Sequence, residues 1–212
     1  MLEYRTLVLG EMQTNCYLLW ESEERKCFII DPADEADYIV EEIQKNSLKP
    51  TGVFLTHGHF DHVMAALDMK LMFNVPIYCS KRDMFLLKRQ NQTAGYFLNK
   101  NVATPNIENI DTDLDQIDEI HLGANTIKII KTPGHTPGGV CFYCPKENLL
   151  FSGDTLFFAL RGRTDFKYGS TEEIFKSIRK LMELSPETLV LSGHGQETTI
   201  ENESKKYKFD RI

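Results

Sequence analysis

The sequence has no run of the roughly twenty apolar residues a helix needs to cross a bilayer, and no internal repeat, low-complexity tract or Pro/Ser-rich linker. It therefore reads neither as a membrane protein nor as a repeat array. Basic residues are in deficit: 24 Lys and Arg against 31 Asp and Glu leave a net charge of −7. That is the reverse of the basic footprint of a nucleic-acid binder. The five cysteines are odd in number and scattered, which argues against a secreted disulfide framework. Met1 to Gly10 carries charges and alternates like a strand, unlike a signal peptide. A reduced, cytoplasmic setting is expected, and the oligomeric state is left open.

What is present suits a globular chain. Of 212 residues, 42% are hydrophobic and 26% charged, enough for one cored domain spanning 1–212. Strand patterns run over Arg5 to Leu9, Asn15 to Trp20 and Lys26 to Ile30, and a helix pattern over Asp34 to Asn46. Next come a short strand at Val53 to Leu55, a helix over Asp61 to Phe73 and a strand at Val75 to Cys79. Ser80 then caps a helix reaching about Arg89. Asn91 to Asp115 reads as polar and irregular, and the acidic run Asp111 to Asp118 as a solvated face. Strands follow at Ile117 to His121, Ile127 to Ile130, Gly139 to Tyr143 and Leu149 to Phe151. A helix over Ser170 to Leu184 and a strand at Thr188 to Leu191 complete the pattern. Many strands with interspersed helices predict an α/β protein with helices covering sheets.

The histidines carry the chemistry. Of six, three fall in His57-Gly58-His59-Phe60-Asp61-His62. His135 follows Thr132-Pro133-Gly134, Asp154 follows Ser152-Gly153, and His194 follows Ser192-Gly193. Each site comes just after an apolar strand, where ligand groups of α/β proteins gather. His57 and His59, two apart, face one side of an extended chain, and Asp61 and His62 open the next helix toward a second position. Imidazole with carboxylate suits zinc, and also iron or manganese. Five histidines and two aspartates exceed one tetrahedral site and match two metals sharing a carboxylate. His121 follows an acidic strand and reads as structural. Cys141 and Cys144, three apart on a strand, face opposite sides and read as packing. Tyr96 and Phe97 either line a substrate entrance or pin their loop.

His57-x-His59-x-Asp61-His62 followed by His135, Asp154 and His194 resembles the metallo-β-lactamase superfamily, from roughly Leu7 to Thr198. Ser152 to Phe157, Gly162 to Asp165 and Thr132 to Gly138 are similar to its glyoxalase II (hydroxyacylglutathione hydrolase) branch. The resemblance implies a four-layer αβ/βα sandwich with a dinuclear site at one edge. His57, His59 and His135 would hold the first metal, Asp61, His62 and His194 the second, and Asp154 would bridge. Arg163, nine positions beyond Asp154, stands where the branch has a basic substrate contact. The chain departs from that branch in Val63-Met64-Ala65-Ala66, in Gln196 where a tyrosine is frequent, and in having about eighteen residues after His194, too few for the helical domain that grips glutathione.

These readings predict a metal-dependent hydrolase of a small-molecule thioester, with no nucleic-acid or membrane partner. Two divalent cations, zinc foremost, would activate a shared water, with Asp61 and Asp154 as the catalytic carboxylates. The alternative is a persulfide dioxygenase of the same superfamily, with one iron on His57, His135 and Asp154. A nuclease or lactonase and a non-enzymatic metal module are further rivals. The acidity opposes the nuclease, and the ligand set exceeds what a structural zinc needs.

Overall fold

Strands form where β-branched and aromatic residues concentrate, and the first three pair in chain order. A computed structural model describes residues 1–207. The last five residues of the domain expected over 1–212 lie outside the described residues. β1 (Leu2–Leu9), β2 (Thr14–Glu21) and β3 (Lys26–Ile30) form an antiparallel meander. α1 (Ala36–Lys45) then crosses over to β4 (Lys49–Phe54), parallel to β3. α2 (Phe60–Val63) and α3 (Ala66–Phe73) lead to β5 (Ile77–Cys79). α4 (Met84–Leu87) and α5 (Gln90–Leu98) lead to β6 (Thr112–Asp113), and β4, β5 and β6 run parallel.

The second sheet begins with β7 (Glu119–Leu122), β8 (Asn125–Lys131), β9 (Val140–Cys144) and β10 (Leu149–Gly153), all antiparallel neighbours. A small hairpin of β11 (Leu156–Phe157) and β12 (Leu160–Arg161) and the helix α6 (Thr171–Leu181) intervene. β13 (Leu189–Ser192) then returns parallel to β10, and β14 (Thr198–Thr199) and α7 (Ile200–Ser204) follow.

Side-chain alternation sorts the core into layers. Leu19, Phe28, Phe54, Phe142 and Phe151 fill the space between the sheets. Leu18, Ile29 and Val53, on the other face of the first sheet, pack against Ile39 and Ile43 of α1 and Met69 of α3. Cys141, Leu150 and Val190, on the outer face of the second, meet Leu181 of α6 and Ile200 of α7. The result is the expected αβ/βα sandwich. Cys141 faces the helices and Cys144 the inter-sheet core, as their spacing predicts.

Four local expectations are corrected. The helix expected over Asp61 to Phe73 breaks at Met64 and Ala65, because the Ala65 N–H donates to Pro32 O at 3.0 Å instead of extending the first turn. The segment from Ser80 does start on a serine cap, with Ser80 Oγ accepting from Arg82 N, but it opens as a 3₁₀ turn, Lys81–Asp83, before α4. Within the stretch expected to be irregular, Gln90–Leu98 is helical: Ala94 is buried and Phe97 stacks on Phe60 at 5.8 Å, so tertiary packing overrides a polar composition. The acidic run is not simply solvated either. Asp111 accepts from Lys70 Nζ and Ile77 N, and Asp115 from Ser80 Oγ, which stitches the edge around β5 and β6.

Candidate metal centre

The strand ends converge where β2 holds both sheets together. Asn15 N donates to Gly193 O at 2.8 Å, Tyr17 Oη to Ser192 O at 2.6 Å, and Thr14 bridges to His194. Val140 N donates to Thr56 O at 2.9 Å, which fixes the end of β4 to β9. Gly153 turns the chain out of β10 with φ +48°, a left-handed conformation suited to glycine, and a Cβ there would lie 2.3 Å from Thr56 Oγ1. Asp154 is thereby aimed into the cleft. A Cβ on Gly193 would lie 2.3 Å from Asp154 Oδ1, so this backbone forms a cradle around the carboxylate.

The structure brings the seven expected residues into two adjoining triads. His57 Nε2 and His135 Nε2 lie 3.1 and 2.9 Å from His59 Nδ1. In the second triad His194 Nε2 lies 3.3 Å from both Asp61 Oδ2 and His62 Nε2, and His62 Nε2 lies 3.7 Å from Asp61 Oδ2. Asp154 stands between them. Its Oδ2 is 3.4 Å from His135 Nε2, while its Oδ1 is 3.3 Å from His62 Nε2 and 3.7 Å from His194 Nε2. His121, on β7, pairs with Thr126 outside this cluster.

Hydrogen bonds on the far side of the rings set which nitrogens carry protons. The Arg163 carbonyl can only accept, so His135 Nδ1 donates to it at 2.8 Å and Nε2 keeps its lone pair. Asp31 Oδ2 likewise accepts from His62 Nδ1 at 2.9 Å. It also accepts from Thr56 Oγ1 at 2.6 Å, which leaves the Thr56 oxygen to accept from His57 Nδ1 at 3.0 Å. One buried carboxylate thus orients a histidine of each triad. His59 Nε2 instead meets Tyr168 Oη at 2.8 Å.

Lone pairs aimed at a common point repel unless a cation accepts them. In a tetrahedral zinc site, metal–nitrogen bonds of about 2.0–2.1 Å set ligands about 3.3 Å apart, close to the spacings here. Asp154 Oδ1 is buried without a hydrogen-bond partner. A divalent cation in each triad fits this donor set.

Charge is distributed to match. Burial, reinforced by neighbouring imidazoles, holds His57 well below the usual histidine pKa and takes His59 down to about 3, so both rings stay neutral. Burial also opposes charge on His62, but the Asp154 and Asp61 carboxylates outweigh it and raise its pKa well above normal. Burial of Asp154 is likewise outweighed, chiefly by His62, which holds its carboxyl well below the usual range. The carboxylates therefore remain ionised and favour positive charge in the cleft.

Beside the triads opens a cavity of about 390 Å³, bordered by His59, His135, Asp154 and His194. Arg163 reaches its rim, yet the guanidinium is engaged: Nε and Nη2 donate to the Asp165 carboxylate at 2.9 and 2.7 Å, and the group lies over Phe166. Phe97 lines the cavity; Tyr96 packs edge-on against it and is largely exposed.

Sequence reasoning missed three contributors. Asp31 ends the apolar strand Cys27 to Ile30, the same placement that singled out the other sites, so its position was a usable signal. Asp83 gave none. It is fully buried and accepts from Gly58 N, Thr136 Oγ1 and Gly138 N at 3.0, 2.7 and 2.7 Å, clamping the loop of His57 and His59 to that of His135. Tyr168 lies in a segment with no strand or helix pattern.

The profile of the metallo-β-lactamase superfamily matches residues 9–194. The chain belongs to the metallo-β-lactamase superfamily. It is 38% identical over 202 residues to hydroxyacylglutathione hydrolase GloC of Haemophilus influenzae, covering 93% of this chain and 92% of that protein. Among solved structures it superposes on BLEG-1, a B3 metallo-β-lactamase, with TM-score 0.89 and 31% identity, covering 99% of this chain and all of the other. The di-iron-bound form of TTHA1623 gives TM-score 0.84 and 32% identity, covering 95% and 97%. Superfamily membership makes the chain a metallo-hydrolase in outline and supports divalent metal binding. No helix among the described residues is long and apolar enough to cross a membrane.

Proposed function

We propose that this chain hydrolyses thioesters with two divalent cations, zinc foremost, with iron or manganese served by the same donors. His57, His59 and His135 would hold one cation and Asp61, His62 and His194 the other. The observation carrying this reading is Asp154, whose two oxygens each face one triad. The thioester part draws support from the hydroxyacylglutathione hydrolase relative, and the openness to iron from the di-iron form of TTHA1623.

When bound, such a cation pair supplies a water acidified toward neutrality and polarises the acyl carbonyl. The chain's own residues prepare for that chemistry. Asp31, directly to His62 and through Thr56 to His57, orients a donor ring of each triad, and Asp61 and Asp154 stay ionised. Apolar walls exclude bulk water and strengthen the local field. The cysteines are no rival nucleophiles: all five are buried, and burial raises their thiol pKa values. A departing thiolate needs no strong general acid, and the hydroxyls lining the cavity are those of Thr93 and Tyr168.

The test is elemental analysis of protein purified without added metal, combined with thiol release from S-lactoylglutathione. About two cations per chain and a chelator-sensitive rate, restored by metal, are expected. One iron per chain, oxygen uptake with glutathione persulfide and no thioester cleavage would replace this reading with the dioxygenase. Cleavage of a β-lactam but no thioester would move the chain toward the activity named for BLEG-1.

A further inference from the structure

We infer that the acyl end of the substrate carries an alkyl or aryl group that packs on apolar walls beside the triads. This inference rests on the thioester reading and sharpens it.

Away from the triads, apolar side chains wall much of the cavity. Met12 comes from the turn between β1 and β2, Phe97 from α5, Phe157 and Leu160 from the β11–β12 hairpin, and Phe166 from the loop beyond it. Four separate segments thus supply apolar surface to one space that opens directly on Asp154 and His194. Three of these residues are well exposed: Leu160 at 67%, Phe97 at 49% and Met12 at 43%. Exposed apolar surface gathered around a cavity marks a binding site.

The polar side chains that share the cavity each hold a protein partner. Arg163 donates from Nε and Nη2 to Asp165. Arg161 donates to Gly162 O at 3.1 Å and lies over Phe175 at 4.9 Å. Tyr168 Oη is paired with His59. Thr93 Oγ1 donates to Arg89 O at 3.0 Å. A hydrocarbon chain would shed water to advantage, up to about fourfold in binding for each methylene fully buried.

The experiment measures two series. In the first, kcat/KM is followed for glutathione thioesters with acetyl, butyryl, hexanoyl and D-lactoyl groups. A rise of about two- to fourfold per methylene is expected, with lactoyl below butyryl. In the second, calorimetry follows binding of acetate, butyrate, hexanoate and octanoate to the metal-loaded protein, which needs no turnover. Affinity should climb with length, and Phe97→Ala combined with Leu160→Ala should flatten both slopes. Carboxylate affinity independent of length overturns the inference, whether or not thioesters are cleaved. So does a lactoyl ester that outruns butyryl. Length-dependent binding with no thioester cleaved overturns the thioester reading and leaves the apolar subsite standing. A third series holds the acyl group as acetyl and lengthens the thiol. Length dependence there but not in the acyl series would assign the apolar walls to the thiol and overturn the inference.

Discussion

The floor of the cleft and its mouth are built on opposite principles. The floor is buried and saturated. Asp31 spends its oxygens on Thr56 N, Thr56 Oγ1 and His62 Nδ1, and Asp83 spends its own on two loop amides and the Thr136 hydroxyl. The mouth is a collar of long side chains: Phe97, Leu160 and Arg163 are exposed, Tyr168 is half-buried, and the ion pair Arg163–Asp165 lies in water. Groups with every bond satisfied in a low-dielectric site hold one geometry. Exposed side chains re-pack at small cost. The chemistry is thus assigned to the part that cannot move, and selection among substrates to the part that can. Breaking the floor should abolish function, while trimming the mouth should only retune it.

The largest effect is expected at the junction of the triads. Asp154→Ala removes the carboxylate that faces both, so the variant should hold fewer than two cations per chain and lose turnover by a factor on the order of 10³. A folded variant with two cations and full activity would contradict the bridging role. Asp31→Asn tests the floor more gently, since it keeps the shape. The amide puts a donor where His62 Nδ1–H and the Thr56 hydroxyl need an acceptor, so both His62 and, through Thr56, His57 lose the enforced tautomer. Competition against a chromogenic chelator should show affinity at both sites reduced by about 10- to 100-fold. Weakening confined to one site would mean that Asp31 serves that triad alone.

Tyr168→Phe makes the matching cut at the edge of the mouth. His59 Nε2 loses its phenol partner, but the ring borders the cavity, where water can take over. Only the first triad should weaken, by about tenfold or less, with the second unchanged in the same titration. Equal weakening of the two would place Tyr168 in the floor, against the comparison above.

The contrast between floor and mouth also explains what could be read in the sequence. The clustering of His57, His59, Asp61, His62, His135, Asp154 and His194 was legible because each follows an apolar strand and imidazole and carboxylate side chains are chemically distinctive. The sandwich was legible because strands such as Asn15 to Trp20 and Leu149 to Phe151 are apolar enough to be buried on both faces. Asp83 was not, because a carboxylate in Lys81-Arg82-Asp83 looks like solvated charge until the fold carries it against Gly58 and Gly138. Gln90–Leu98 was not, because its helix depends on Phe60 and Phe97 meeting, a contact set by tertiary structure. The break at Ala65 depends on Pro32 O, thirty-odd residues earlier in the chain, which no local pattern encodes.

Arg163 lies on both sides of the division, and the smallest predicted effect separates them. Its carbonyl belongs to the floor, since it accepts from His135 Nδ1, whereas its side chain belongs to the mouth. Arg163→Ala retains the carbonyl, so metal content should be unchanged. The guanidinium is exposed and shared with Asp165, and exposed pairs of this kind contribute little. Its removal should therefore raise KM for an anionic thioester by only about two- to fivefold, with kcat nearly constant. Asp165→Ala should act in the opposite direction, because it releases the guanidinium to read a substrate carboxylate, and KM for the same anionic thioester should fall. A neutral thioester should respond to neither change. If both variants raised KM equally on charged and neutral substrates, the Arg163–Asp165 pair would be a brace for the loop that carries the carbonyl to His135, and the boundary between floor and mouth would have to be drawn outside it.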